Sequence, residues 1–191
     1  PHCYANAVPD GAHVPLEDVE LVIRQCRDSG VCQLALGGGE PLSHPHIREI
    51  LALCREAGVV PNLSTNGMHL GVGLLAAMRH CCGAVALSLE GVGETFARWR
   101  RTGFEHFKEA LERLRAARIR TVLQVTLSAA NFNELDDIVE FCLSRPQLYG
   151  VIFLAYKPVG RGEHCSRPLA ELPAQTVCDG LQRAMLKLHG T

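Results

Sequence analysis

Two hydrophobic patterns alternate along the chain, and they predict helices and strands in turn. Apolar residues recur every three to four positions in the helical segments, and short apolar runs follow them, with glycine or proline at most of the joins. The first helix has an apolar stripe of Leu16, Val19, Val22, Ile23 and Cys26. Helices are predicted over residues 16–29, 45–57, 68–79, 104–117, 133–143 and 175–188, and strands over 32–36, 59–64, 84–89, 119–127 and 150–156.

This order of elements predicts an α/β fold made of successive βα units. Parallel strands joined by right-handed helical crossovers form either an open doubly wound sheet or a barrel-like curl. In both arrangements ligands bind at the carboxyl ends of the strands. One further strand is expected before residue 1, because Cys3 falls in a predicted loop and the first predicted element is a helix.

Composition narrows the class of protein. A chain of 191 residues is long enough for one domain of ordinary size. Its 19 Lys and Arg nearly balance its 20 Asp and Glu, so no global field favours nucleic acid, and we expect no nucleic-acid partner. No apolar run has the length of a membrane span, and the first residues do not resemble a signal peptide. We therefore expect a cytoplasmic protein without a membrane partner.

Nine cysteines are an odd number without a regular framework, which favours a reducing compartment over a disulfide-stabilised secreted protein. Cys26, Cys54 and Cys142 fall among apolar helix positions and are predicted to be small core residues. Cys81 and Cys82 are predicted to lie at a helix end.

Small polar side chains follow four successive predicted strands. The segments are Gly37-Gly38-Gly39-Glu40-Pro41, Ser64-Thr65-Asn66-Gly67, Ser88-Leu89-Glu90-Gly91, and Gln124 with Thr126 and Asn131. Glycines leave the backbone free to approach a ligand, and hydroxyl and amide groups bond polar ligands. Hydrolases of this architecture carry His or Asp metal ligands on the strands, and these strand ends have none. The set indicates a pocket for one polar, zwitterionic small molecule.

Together with Pro1-His2-Cys3-Tyr4, these segments resemble the radical S-adenosylmethionine (radical SAM) superfamily. The resemblance implies a partial (β/α)₆ TIM-like barrel and a [4Fe–4S] cluster held by three cysteines spaced C-x-x-x-C-x-x-C. Cys3 matches the third cysteine, so the chain is expected to be a single core domain over 1–191 that is incomplete at its amino end and at its carboxyl end. The loop Tyr156 to Gly162 resembles one in members with a carboxy-terminal cluster-binding extension; Arg161 there is either functional or part of a plain turn.

The resemblance also implies roles for individual residues. Gly38, Gly39 and Glu40 match the element that binds the methionine amino group, with Pro41 fixing the turn. The second strand end holds the methionine or ribose portion, the third lies near the ribose hydroxyls, an arginine pairs with the cofactor carboxylate, and the residues beside Cys3 contact adenine. The remaining cofactor-binding residues are accordingly Ser64, Thr65, Asn66, Ser88, Glu90, Arg100, Thr126, His2 and Tyr4.

The implied activity is reductive cleavage of S-adenosylmethionine to a 5′-deoxyadenosyl radical that removes hydrogen from a small-molecule or peptide substrate, or from a cofactor precursor. An electron donor such as flavodoxin or ferredoxin is implied as a partner. Two alternatives stay open on the sequence. One is a non-radical TIM-like enzyme that binds a nucleotide, although the chain lacks a phosphate-binding loop. The other is a non-catalytic homologue that binds a partner.

Overall fold

The computed structural model describes Cys3 and residues 5–8, 11–100, 102–164 and 171–189, except for the side chains of residues 164 and 189. The helices are α1 (Leu16–Asp28), α2 (Ile47–Glu56), α3 (Val72–Cys81), α4 (Glu94–Arg100), α5 (Phe104–Ala116), α6 (Leu135–Leu143) and α7 (Ala174–His189). The strands are β1 (Gln33–Leu36), β2 (Val60–Thr65), β3 (Val85–Leu89), β4 (Thr121–Leu127) and β5 (Gly150–Ala155).

The described strands form one sheet in the order β1-β2-β3-β4-β5. Strands β1, β2 and β3 are parallel, with Leu36 opposite Leu63 and Leu63 opposite Val85. An open doubly wound sheet would reverse its strand order at a switch point. The consecutive order instead favours the barrel-like alternative and confirms the predicted series of βα units.

Contacts group the chain into two compact units. Unit 1 comprises residues 1–7, 89–107 and 123–191, and unit 2 comprises residues 8–88 and 108–122. In unit 2, the buried residues Ile23, Ile50 and Cys54 form a cluster that joins α1 to α2, with Leu16 and Val19 packed against it. Val22, which we predicted to lie in the same stripe, is 45% exposed, because the buried face of α1 is narrower than the sequence pattern.

In unit 1, an aromatic cluster joins three helices. Phe96 of α4 lies 5.1 Å from Phe107 between ring centroids, and Phe104 stacks on Phe107 at 5.6 Å. Phe141 of α6 completes the cluster at 5.5 Å from Phe104. The Arg145 guanidinium lies over the Phe141 ring, 3.4 Å from its centroid. Offset aromatic packing of this kind stabilises a core beyond the apolar area that it buries.

Three helix starts differ from the prediction by two residues or more, and one helix was missed. Helix α6 begins at Leu135 and not at residue 133, after a 3₁₀ turn over Phe132–Glu134. Helix α3 begins at Val72 and not at Met68, because the Asn66 side chain accepts the Met68 N–H at 2.8 Å and forms a turn there. Helix α2 begins at Ile47, after a 3₁₀ turn over Pro41–Ser43. Helix α4 was not predicted. Among the described residues, no helix combines the length and apolar character needed to cross a membrane.

Several cysteines are buried as predicted. Cys54 and Cys142 are core residues, whereas Cys26 is only half-buried. Burial raises the pKa of the Cys54 and Cys142 thiols to about 11, and that of Cys82 to about 12. These thiols therefore hold their protons more tightly in the folded chain than in the unfolded chain, where the pKa is near 9.

We expect the free energy of unfolding to fall as pH rises from about 9 towards 12, because the unfolded chain loses these protons first and the thiols contribute their full stability only below pH 9. Urea unfolding across this range measures the slope. Cys82→Ala removes the group with the highest of these pKa values and should have a shallower slope than the wild type. Equal slopes would contradict the assignment of a protonated Cys82.

Candidate functional site

The loop after β1 contains the glycines that we predicted to approach a cofactor. Gly38 has a φ of +120°, a conformation that side chains rarely allow, so glycine is required there. Gly37, Gly38 and Gly39 are exposed. The exposed run ends at Glu40, which caps the 3₁₀ turn whose first residue, Pro41, is buried. An exposed glycine backbone is thus followed at once by the turn that Glu40 caps.

The Glu40 carboxylate bonds the end of the neighbouring strand. Its Oε1 accepts the Thr65 hydroxyl at 2.6 Å and the Leu42 N–H at 3.2 Å. Its Oε2 accepts the Asn66 N–H at 2.8 Å. Hydrogen bonds to an ionised carboxylate are about twice as strong as neutral ones. Glu40 therefore fixes the loop after β1 to the carboxyl end of β2, a structural role in addition to the predicted cofactor contact.

The end of β2 is held by local turns as well. The Thr65 hydroxyl, which is buried, also accepts the Gly67 N–H at 3.0 Å. Gly67 has a φ of +80°, and a Cβ there would lie 2.8 Å from the Cβ of Ala110. Ser64 in β2 and Ser88 in β3 are half-buried. The predicted residues of unit 2 thus lie at or next to strand ends, where ligands bind in folds of this class.

In unit 1, Glu90 and Arg100 form a bidentate ion pair. Arg100 donates from Nε to Glu90 Oε2 at 2.5 Å and from Nη2 to Oε1. The Glu90 side chain is 2% exposed and that of Arg100 is 26% exposed. We predicted that Glu90 lies near a ribose and that Arg100 binds a carboxylate of the cofactor. The structure pairs the two residues with each other, and a buried carboxylate requires such a partner.

Asn131 links the ends of β3 and β4. On the sequence we gave it less weight than the other candidate residues. Its fully buried amide donates to the carbonyl oxygens of Glu90 at 2.7 Å and Thr126 at 2.8 Å, while its oxygen accepts the Ser128 N–H at 2.9 Å. Thr126 itself is half-buried. The signal available in the sequence was an Asn directly between a strand and a helix, where such side chains often bond local backbone.

Glu134 and Thr95 were missed entirely. Glu134 accepts the Val92 N–H at 3.1 Å and the Thr95 hydroxyl. These bonds fix the turn between β3 and α4. A Cβ on Gly91 would lie 2.7 Å from the Thr95 side chain and 2.8 Å from Glu134, so a larger residue there would displace these side chains. No local sequence pattern predicts these contacts, because Glu134 and Thr95 are far apart in the chain.

Cys3 is a half-buried free thiol. Its Sγ accepts the Ala7 N–H at 3.4 Å, and its carbonyl oxygen accepts the Asn6 N–H at 3.3 Å. An N–H···S bond of this kind is a feature of cysteines that ligate iron–sulfur clusters. The Cys3 thiol is therefore suited to be one ligand of such a cluster. His2 and Tyr4 lie outside the described residues. No group of three or more His, Cys, Asp or Glu able to hold a metal occurs among the described residues.

Two cavities lie on other parts of unit 2. A cavity of about 500 Å³ lies beside α2 and α3 and includes Pro45 and Ala77. A second, of about 750 Å³, includes four arginines: Arg55, Arg79, Arg118 and Arg120. Neither is lined by a residue that we predicted to bind the cofactor. Cavity size alone therefore does not identify the candidate site, and the strand-end side chains do.

The strand order defines an α/β protein of the barrel class, and polar side chains lie at its strand ends. The chain belongs to the radical SAM superfamily, because residues 1–142 match the sequence profile of that family. Membership implies a [4Fe–4S] cluster and S-adenosylmethionine as cofactors. It confirms the resemblance seen in the sequence.

The relatives match most of this chain, whereas this chain matches a smaller share of each relative. The sporulation killing factor maturation protein SkfB of Bacillus subtilis (strain 168) is 25% identical over 144 residues, which are 73% of this chain and 35% of SkfB. Streptococcus suis SuiB bound to S-adenosylmethionine has a TM-score of 0.81 at 14% identity, over 99% of this chain and 44% of SuiB. Native anSMEcpe with bound AdoMet and the Kp18Cys peptide has a TM-score of 0.77 at 14% identity, over 99% of this chain and 57% of that protein.

The likeness to these structures confirms the predicted α/β partial-barrel fold class. The chain spans about a third of the curated relative and about half of the two solved structures. The roles of single residues toward the cofactor remain predictions.

We expect Glu40→Gln to lower the free energy of unfolding by about 2 kcal/mol, because the amide has one acceptor oxygen fewer and turns a donor towards Thr65, Leu42 or Asn66. Glu49→Gln is the matched control. Its side chain is 54% exposed and its carboxylate pairs with the exposed His46 side chain, so its loss should cost under about 0.5 kcal/mol. Equal losses in urea unfolding would contradict the role given to Glu40.

Asn131→Ala should lower the free energy of unfolding by about 3 kcal/mol, because the buried Glu90 carbonyl, the partly buried Thr126 carbonyl and the buried Ser128 N–H lose their partner. Asn133→Ala is the control, since Asn133 is exposed and lies two residues further along the chain. Chemical denaturation of the two variants measures the difference. A loss below about 1 kcal/mol for Asn131→Ala would show that the strand ends hold together without it.

Proposed function

We propose that this chain is the cofactor-binding core of a radical SAM enzyme that modifies a peptide. The family match over residues 1–142 carries the proposal, because it includes Cys3, the loop around Glu40 and the ends of β1 to β4. The peptide substrate is supported by the relatives: SkfB is described as a maturation protein, SuiB has been solved with its precursor peptide SuiA, and anSMEcpe with a peptide.

When bound, the cluster supplies the electron that cleaves S-adenosylmethionine and so starts radical chemistry. Cys3 would hold one iron of this cluster. The thiol is half-buried and bonded by the Ala7 N–H, which limits the positions that the sulfur can take. The thiolate is the form of a cysteine that binds iron.

The protein contacts of Glu40 leave room for one ligand contact. Each carboxylate oxygen accepts two hydrogen bonds. Oε1 already accepts two, from Thr65 and Leu42, whereas Oε2 accepts one, from Asn66. Oε2 of Glu40 would therefore accept one N–H of the methionine amino group, without any loss of the bonds that hold the loop.

Arg100 keeps donors for a ligand in the same way. A guanidinium has five N–H groups, and Glu90 engages Nε and one of the two at Nη2. The remaining donors include both N–H groups of Nη1. These donors would bind the cofactor carboxylate while the ion pair with Glu90 stays intact. Ser64, Ser88 and Thr126 would contribute hydroxyl groups at their strand ends, and Gly38 and Gly39 an accessible backbone.

The proposal includes an external one-electron donor such as flavodoxin or ferredoxin, since cleavage consumes an electron that no side chain of the protein supplies. It also includes a cytoplasmic location. That location is supported by the described cysteines, all of which are free thiols.

The full-length protein, reconstituted anaerobically with iron and sulfide, should release 5′-deoxyadenosine from S-adenosylmethionine when dithionite is added. Liquid chromatography measures the product. Cys3→Ser should lose it, because a hydroxyl is a poor ligand for the cluster iron. Cys178→Ser, at an exposed position on α7, is the control and should keep it. A loaded cluster without any 5′-deoxyadenosine would refute the radical function.

A further inference from the structure

The segment after β5 contacts the Cys3 loop at two points. The backbone N–H of Arg161 donates to the carbonyl oxygen of Cys3 at 3.0 Å. The Arg161 guanidinium donates from Nη1 to the carbonyl oxygen of Ala7. All three residues belong to unit 1. One residue thus bonds both ends of the turn that carries the cysteine.

The turn itself is held by weak hydrogen bonds. Asn6 donates to Cys3 O at 3.3 Å, Ala7 donates to Cys3 Sγ at 3.4 Å, and Asn6 has a left-handed φ of +51°. Bonds of these lengths and N–H···S bonds are individually weak. The orientation of the sulfur depends on where the Ala7 N–H lies. A charged group that fixes Ala7 therefore acts on the sulfur through the turn.

Arg161 is fixed in turn by a buried tyrosine. The Tyr156 hydroxyl donates to Gly162 O at 2.6 Å, and its backbone N–H donates to Leu127 O of β4 at 2.8 Å. Tyr156 is 7% exposed and packs with Trp99 of α4. A Cβ on Gly162 would lie 2.9 Å from the Tyr156 hydroxyl, so a larger residue would not fit there without a shift. The contacts to Cys3 and Ala7 thus come from a loop that is bonded to the buried Tyr156.

We propose that Arg161 is a positioning residue for Cys3, and that its charge raises the reduction potential of the cluster that Cys3 binds. The second part rests on the proposed function; the first does not. The potential of an iron–sulfur cluster depends on nearby charge and on N–H bonds to its sulfurs. Arg161 supplies a cation within the turn and holds the Ala7 N–H towards Sγ. A reduced cluster carries more negative charge, which the cation stabilises.

Hydrogen exchange of the metal-free full-length protein tests the positioning role. In Arg161→Ala, the amides of residues 6 and 7 should exchange about tenfold faster, the scale of one lost charge-assisted hydrogen bond. Tyr156→Phe should also speed them, because it releases Gly162 without leaving a cavity. Arg24→Ala, an exposed arginine of α1, is the control and should change neither amide. Unchanged exchange in both Arg161→Ala and Tyr156→Phe would overturn the proposal.

Redox titration of the reconstituted protein, followed by electron paramagnetic resonance, tests the electrostatic role. Arg161→Ala should have a lower reduction potential than the wild type, and Arg161→Lys, which keeps the charge, should lie close to the wild type. Faster exchange with an unchanged potential would overturn the electrostatic part of the proposal and leave Arg161 a positioning residue for the turn. Both readouts are independent of turnover, so a protein that shows these shifts without releasing 5′-deoxyadenosine would refute only the proposed function.

Discussion

The loops that follow the strands depend on a few polar side chains that bond the backbone of the neighbouring strand end. In unit 2 the Glu40 carboxylate bonds the Thr65 hydroxyl and the Asn66 N–H. In unit 1 the Asn131 amide bonds the carbonyls of Glu90 and Thr126. Backbone groups left unpaired in buried loops are costly. Each of these side chains satisfies groups on two chain segments at once, so the loops keep one conformation without a hydrophobic core of their own.

The regular elements were predictable because each buries one face and so has a periodic pattern. The strand predicted over 84–89 is β3, Val85–Leu89, and the helix predicted over 104–117 is α5, Phe104–Ala116. The errors occur where a local contact overrides the pattern. Helix α4 was missed because its seven residues are too few to show a clear helical period of apolar positions. In addition, the turn that leads into it is held by Glu134, which is far away in the sequence.

The position of the candidate residues at the strand ends was predictable, but their contacts with one another were not. Small polar residues after successive strands could be recognised, because ligands of such folds bind at strand carboxyl ends. The pairing of Glu40 with Thr65, or of Glu90 with Arg100, could not, since sequence alone does not show which polar groups meet. The same pattern fits side chains that bind a ligand and side chains that hold the loops. Asn131, which holds two strand ends, therefore received less weight than its burial warrants.

A side chain engaged in the structure can still bind a ligand, but only through the atoms that remain. At Glu40, a ligand that needed both carboxylate oxygens would have to displace the Thr65 hydroxyl or the Leu42 N–H from Oε1. A ligand that offers a single N–H to Oε2 displaces nothing. If Glu40 binds the cofactor as we propose, the loop would favour a donor that makes one contact, as an ammonium group does, over a guanidinium that makes two. The bonds that stabilise the strand ends would then also restrict the chemistry of the ligand.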